Sequence, residues 1–325
     1  MTARRLLPLA TLIVAAVLPW LTDDFGLSLA IYVGLSALVA LGLTLLTGIG
    51  GIASFGQSAY VGLGAYVSAW TTLTLGWSPW ATLPLVIGLG LVISWFGASI
   101  TVRLSGHYLP LATIAFAVAV FYLFGALPWT GGQSGVGGLP NLSLFGHEFT
   151  TTAHYYLVAA LLFASMWGIA NLLDSRQGRA IRALANVVMA EAMGIDTRAV
   201  KIRIFVVACV MATVVGWLYA HFQRFVNPSP FSLGHGIDYL FMTVVGGAAN
   251  LWGALVGATL ITTLQSALQT TLPSLIGHGG SFESVVFGAL IILIFHFAPE
   301  GLTDGIRRRL GWMAPVARPI AAGAS

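Results

Sequence analysis

The chain has 325 residues, 58% of them hydrophobic and only 7% charged, with a net charge of +4. A soluble domain carries about 25% charged residues, so the composition excludes a water-soluble fold and implies an integral membrane protein. The modest positive charge is no nucleic-acid footprint, and the single cysteine, Cys209, excludes an intrachain disulfide and a cysteine-based metal cluster.

Apolar runs recur at the length of about 20 residues that a helix needs to cross a hydrocarbon core about 30 Å thick. The period-2 alternation of a membrane barrel is absent. The expected fold class is an all-α membrane protein, a polytopic helical bundle of about ten transmembrane segments in one domain, residues 1–325. If the glycine-broken pieces do not cross fully, the count falls to eight.

In chain order, Arg4 and Arg5 precede an apolar run, 6–21, that reads as an uncleaved first helix, with a removed signal peptide as the alternative. The second span, 27–47, runs into GIGGIASFGQSAYVGLGAYVSAW, residues 48–70. Gly48, Gly50 and Gly51 predict a break, which at membrane depth is tolerated where it faces protein or a water-filled path. Ser54, Gln57 and Ser58 follow within one and a half turns, and polar groups there face the interior. Two readings stay open for them: hydrogen bonds to neighbouring helices, worth about 0.6–2 kcal/mol each, or the lining of a translocation path. Further spans are expected at 80–102 and, after a turn at Ser105-Gly106, at 107–125.

Residues 126–153 form a long Gly/Pro-rich loop without Lys or Arg. Its TGGQSGVGG run lacks the Lys-Ser/Thr of a P-loop. His147 and His154, seven apart, lack the spacing of a metal site, and no cofactor is called for. A span at 154–173 follows, then 204–221. Residues 238–271 are too long for one helix and predict two segments broken at Gly246-Gly247 and Gly253; 282–297 is the last span.

Between the spans ending at 173 and starting at 204 lies DSRQGRAIRALANVVMAEAMGIDTRAVKIR, residues 174–203, which holds nine of the 24 charged residues. Basic residues gather here, at 4–5, at 103 and at 307–318, so the positive-inside rule puts both termini and this loop in the cytoplasm and the 126–153 loop outside. Arg224 is the exception, at the outer interface. Residues 179–191 favour helix, with Gly194 placed to end it. Ile181, Leu184, Val188 and Ala192 fall on one apolar face, rimmed by Arg179 and Arg182. Such a face serves a partner protein or lies on the inner leaflet.

Several segments in order resemble a known family: LTGIGGIASFGQSAYVGLGAY, HYLPLATIAFA, TGGQSGVGGLP with LSLFG, GRAIRA…AEAMGID with KIRIF, GWLYAHFQRFVNPSPF, MTVVGGAANLWGALVGA and FAPEGL. Nearly end to end, the chain is similar to the LivM-like permease subunits of branched-chain amino acid ABC importers. The resemblance implies an inner-membrane subunit paired with a second homologous permease, two ABC ATPases docked on the cytoplasmic side, and a periplasmic substrate-binding protein touching 126–153 and 226–236. It also implies that AEAMGI belongs to a coupling helix seated in the ATPase, with Arg179, Arg182, Val188, Glu191, Ala192, Met193 and Gly194 as contact residues. The charged run that precedes AEAMGI in the family is here ALANVVM. Ser54, Gln57, Ser58, Gly246 and Gly247 are the expected path residues. The chain has no Walker A sequence, so it is not the ATP-hydrolysing enzyme.

Rival classes lack support. An intramembrane enzyme needs paired ionisable groups, whereas His107, His221, Asp238, Glu283 and His296 stand singly near span ends. An ion-driven transporter needs mid-membrane carboxylates. Within the ABC class the runner-up is a permease for another small solute, an amide, a urea-like compound or an aromatic acid.

Overall fold

The computed structural model describes residues 11, 15–104, 108–144, 146–276, 281–297 and 301–303. The basic ends at 4–5 and 307–318, the turn at Ser105-Gly106, His107 and Pro299-Glu300 lie outside the described residues. Among the described residues, helix follows every apolar run. A helical stretch at 15–21 precedes α1 (Asp24–Leu43), which passes through a π-helical segment, Thr44–Ile49. Then come α2 (Gln57–Leu75), α3 (Pro79–Thr101), α4 (Tyr108–Ala126) and α5 (Thr151–Asp174). Two short helices, α6 (Arg176–Ala183) and α7 (Val187–Ala192), lead to α8 (Thr197–Gln223). Helices α9 (Leu233–Gly246), α10 (Leu251–Ile276) and α11 (Ser281–Phe297) complete the described chain.

Six of these helices are long and apolar enough to cross a membrane alone. The other candidates are shorter or more polar: α9 has 14 residues and α11 has 17, while α2 carries Gln57, Ser58, Ser68 and three threonines. The chain is a multi-pass helical membrane protein; the breaks at Gly50-Gly51 and Gly246-Gly247 fall where the sequence predicts them, whereas Gly253, predicted as a further break, lies inside α10, where its missing Cβ allows close packing on Gly246.

Burial sorts the helices into layers. Of the most apolar window of α1 and its extension, 72% is buried, against 22% for α3 and for α4. A helix apolar all round belongs inside a bundle, and α1 packs against α5, α8, α9 and α10. By contrast α3 and α4 expose Val92, Trp95, Phe96, Tyr108 and Leu111, side chains that suit lipid. The second inner helix, α8, touches α2 almost backbone to backbone. A Cβ on Gly216 would lie 1.9 Å from the carbonyl oxygen of Val61. Such close approach is the usual basis of helix association in lipid, where no hydrophobic force draws helices together.

The long loop is tied to one end of α8. Strand β1 (Val136–Gly137) pairs antiparallel with β4 (Phe225–Val226), and β2 (Ser143–Leu144) with β3 (His147–Glu148). Arg224, which ends α8 in the left-handed region, donates from Nε to the Leu139 carbonyl at 3.3 Å. Below it, His221 is fully buried in a polar chain. Its Nε2 lies 2.8 Å from Ser68 Oγ and its Nδ1 3.0 Å from the Pro140 carbonyl. Ser68 meets Thr82 at 2.9 Å, and Trp217 Nε1 donates to Thr82 Oγ1 at 3.1 Å.

Candidate functional site

Three side-chain caps shape the segment between α5 and α8. Ser175 accepts from the Gly178 amide at 3.3 Å and starts α6. Asn186 accepts from the Met189 amide at 3.1 Å and starts α7. Asp196 accepts from the Ala199 amide at 3.0 Å and starts α8. Each supplies an oxygen to a first-turn amide that has no partner within its helix. The predicted single helix over 179–191 is therefore two, separated by a 3-10 turn at Leu184–Asn186. Gly194 closes α7 as expected, with φ of 79°. Its amide donates to Glu191 O at 2.9 Å and that of Ile195 to Ala190 O at 3.0 Å, the paired bonds of a Schellman end.

The split divides the predicted apolar face. Ile181 and Leu184 are buried, because the 3-10 turn rotates the following residues away from them. Val188, Met189 and Met193 are instead 79%, 61% and 72% exposed. Ala192, Glu191, Gly194, Arg179 and Arg182 are exposed around them. Arg182 reaches Asp174 at 3.8 Å, while Glu191 Oε1 accepts from Thr197 Oγ1 at 2.7 Å and ties α7 to the first residue of α8. The sequence reading starts the span after this segment at 204, where the apolar run begins. The helix starts at Thr197, because Asp196 caps it there and Arg198, Lys201 and Arg203 can sit on turns outside the apolar part. Met189 and the cap Asn186 escaped the sequence reading, although an Asn three residues before Met189 is a capping signal.

The expected path residues fall in two places. Ser54, Gln57 and Ser58 are fully buried at the start of α2. Gln57 Nε2 faces Cys209 Sγ of α8 at 3.7 Å, whereas Ser54 Oγ, Gln57 Oε1 and Ser58 Oγ have no hydrogen-bond partner among the described residues. Gly246 and Gly247 lie in the turn between α9 and α10. A Cβ on Gly246 would sit 1.9 Å from Gly253 O, and Gly247 has φ of 113°. The two breaks meet: a Cβ on Gly48 would overlap the Ala248 carbonyl at 1.5 Å. Thr303 Oγ1 donates to the Gly246 carbonyl and Gly301 packs on Gly247.

Beside α1, α2, α8, α9 and α10 lies a cavity of about 450 Å³. Its lining runs from Phe25 to Ser36 on α1 and includes Met242 of α9 and Gln269 of α10. Its wall mixes apolar side chains with Tyr32, His235, Asp238 and Gln265. Gln265 Nε2 donates to Asp238 Oδ2 at 3.0 Å, and Ser232 Oγ lies 3.1 Å from His235 Nδ1. The path residues named from the sequence do not line this cavity. Asp238 does, on a face that only the pairing of α9 with α10 creates.

Comparison with known proteins agrees with this architecture. The family described as "Branched-chain amino acid transport system / permease component" matches residues 26–295. The LivM permease protein of the Escherichia coli K12 high-affinity branched-chain amino acid transport system is 26% identical, over 94% of this chain and 76% of its own length. The corresponding E. coli LivH protein is 30% identical over 82% of this chain and 90% of its own, and a probable LivH of Methanocaldococcus jannaschii is 28% identical over 84% and 90%. No solved structure gives a significant match. With a family match over 26–295 and broken helices that meet at their glycines, the chain belongs to the permease components of branched-chain amino acid transport systems.

Proposed function

We propose that this chain is a membrane-spanning subunit of an ABC importer for branched-chain amino acids, and that residues 174–203 are its cytoplasmic coupling segment. The observation that carries the reading is the exposed apolar tip of α7. Val188, Met189 and Met193 stand in water on an arm that capping fixes at each joint. An exposed apolar cluster with a charged rim marks a contact site. The alternative, an amphipathic helix lying on the lipid surface, would bury only the six residues of α7, about 9 Å of helix. The relatives' names, branched-chain amino acid permease proteins, support the substrate class.

In this reading the subunit pairs with a second homologous permease, and two ATPases hold the coupling segments. Their closure on ATP moves α7, and the Glu191–Thr197 bond passes that movement to α8. At its far end α8 carries the loop at 127–150, where a periplasmic binding protein delivers substrate. Both termini lie in the cytoplasm and the membrane is the bacterial inner membrane. Buried oxygens without partners cost about 1–3 kcal/mol each. Those of Ser54, Gln57 and Ser58 are relieved if helix rocking admits water, which supports a place for them on the path together with Gly246 and Gly247. The chain itself does no hydrolysis.

The test is reconstitution of the permease pair, ATPases and binding protein in vesicles, with ATP-driven leucine uptake measured against valine, isoleucine, an amide, urea and an aromatic acid as competitors. Competition by the three branched-chain amino acids alone is expected. Uptake of an amide or aromatic acid in their place would move the chain to another solute within the ABC class.

A further inference from the structure

Asp238 has no assigned role in the importer reading, yet its setting is unusual for this chain. It is one of only ten acidic residues and sits on the wall of the cavity between α1, α2, α8, α9 and α10. No Lys or Arg lines that cavity. Asp238 Oδ2 accepts from the uncharged Gln265 amide at 3.0 Å. His235, one turn earlier, is held by Ser232 Oγ. An ionisable side chain within a membrane domain that faces a cavity is a functional group by default, because lipid-embedded charge is expensive.

The remainder of the wall says what kind of ligand fits. Leu35, Val61, Val215 and Met242 give it an apolar side. Tyr32 and Tyr239 add aromatic rings to the same wall, and aromatic faces attract cations. The volume lies within the range of small-molecule sites, about 300–1,000 Å³. One carboxylate, aromatic rings, an aliphatic wall and no fixed cation together select a primary ammonium on a short branched alkyl chain, and select against a lone carboxylate.

We infer that the cavity is a substrate site in which Asp238 takes the ammonium group of the transported amino acid, while Leu35, Val61, Val215 and Met242 receive its alkyl side chain. This rests on the importer reading. It differs from the path expected from the sequence, since Ser54, Gln57 and Ser58 lie outside this cavity.

The experiment uses the whole assembly with three probes: L-leucine, 3-methylbutylamine, which keeps the ammonium and the branched tail, and 4-methylpentanoate, which keeps the carboxylate and tail. Inhibition of ATP-driven leucine uptake is measured, with leucine loading of the binding protein followed in parallel so that competition there is subtracted. The amine is expected to inhibit at least tenfold more strongly than the acid. Asp238→Asn, which can still accept from Gln265, is expected to lower uptake at least tenfold and to lose amine inhibition; Asp238→Glu retains part of both. Equal inhibition by amine and acid, or wild-type KM and amine sensitivity in Asp238→Asn, would overturn the site. If that variant does not assemble, the comparison of amine and acid on the wild type decides alone. Amine-dependent thermal stabilisation of the wild-type assembly reads the site without transport, so a wild type that imports no branched-chain amino acid overturns the importer reading separately.

Discussion

The two ends of α8 are held in opposite ways. At the Gln223 end the protein binds itself: His221, Ser68, Thr82 and Trp217 form a buried polar chain, and β4 pairs with β1. At the Thr197 end a side-chain bond to Glu191 joins α8 to an arm whose Val188, Met189 and Met193 are exposed. The first arrangement fixes geometry, because buried hydrogen-bonded groups are costly to separate. The second leaves apolar surface for something outside the chain. One helix thus has an anchored end and an end that leaves apolar side chains exposed.

The largest effect that would sharpen this contrast is expected from charge at the open end. Val188→Asp combined with Met193→Asp puts two carboxylates into an apolar contact. At about 3–5 kcal/mol for an uncompensated buried charge, vesicle uptake should fall by about a hundredfold or more, with the thermal midpoint of the isolated permease unchanged. A lowered midpoint would mean that these side chains pack within the chain. At the anchored end, His221→Ala should reverse the pattern. Leaving the Pro140 carbonyl without its donor, and Ser68 with Thr82 alone, costs about 1–3 kcal/mol, seen as lower thermal stability in detergent, while uptake per folded molecule stays near wild type. Loss of uptake without loss of stability would place His221 in the transport cycle.

Smaller effects probe the joints of the arm. Gly194→Ala forces a Cβ into the left-handed region and should cost about 1 kcal/mol of local stability, with Gly194→Asn milder because Asn tolerates that region. Protease sensitivity of the segment around 187–194 reads this directly. Asn186→Ala removes the cap of α7 and should cost about 0.5–1 kcal/mol, visible as faster hydrogen exchange at the Met189 amide. If neither changes uptake, the arm does not transmit movement.

Much of the bundle was legible because its signals are local. Apolar runs of membrane length became helices, and the glycine clusters at 48–51 and 246–247 became breaks. The C-terminal stop at Gly194 was legible for the same reason, since one residue without a Cβ decides it. The division of the arm was not, because Ile181 and Leu184 are buried by packing against the bundle while Val188, at the same helical spacing, is turned outward by a 3-10 segment. Asp238 was harder still. It stands singly in the sequence, and Gln265, its hydrogen-bond donor, is 27 positions away on another helix. A lone carboxylate near a span end reads as an interfacial charge until α9 and α10 are folded against each other. The path residues at 54–58 were legible as interior polar groups, but only the fold shows that they are not on the cavity wall.

The length of α8 has a further consequence. Its apolar stretch, residues 204–221, measures about 27 Å at 1.5 Å per residue, close to a hydrocarbon core of about 30 Å. The preceding turns, 197–203, add about 10 Å and carry Arg198, Lys201 and Arg203, whose long side chains can reach phosphate headgroups from there. With 204–221 in the hydrocarbon, the tip of the arm at α7, bonded to Thr197, would stand off by roughly the depth of the headgroup layer, and acyl chains much longer or shorter than those of the native membrane would raise or lower that standoff.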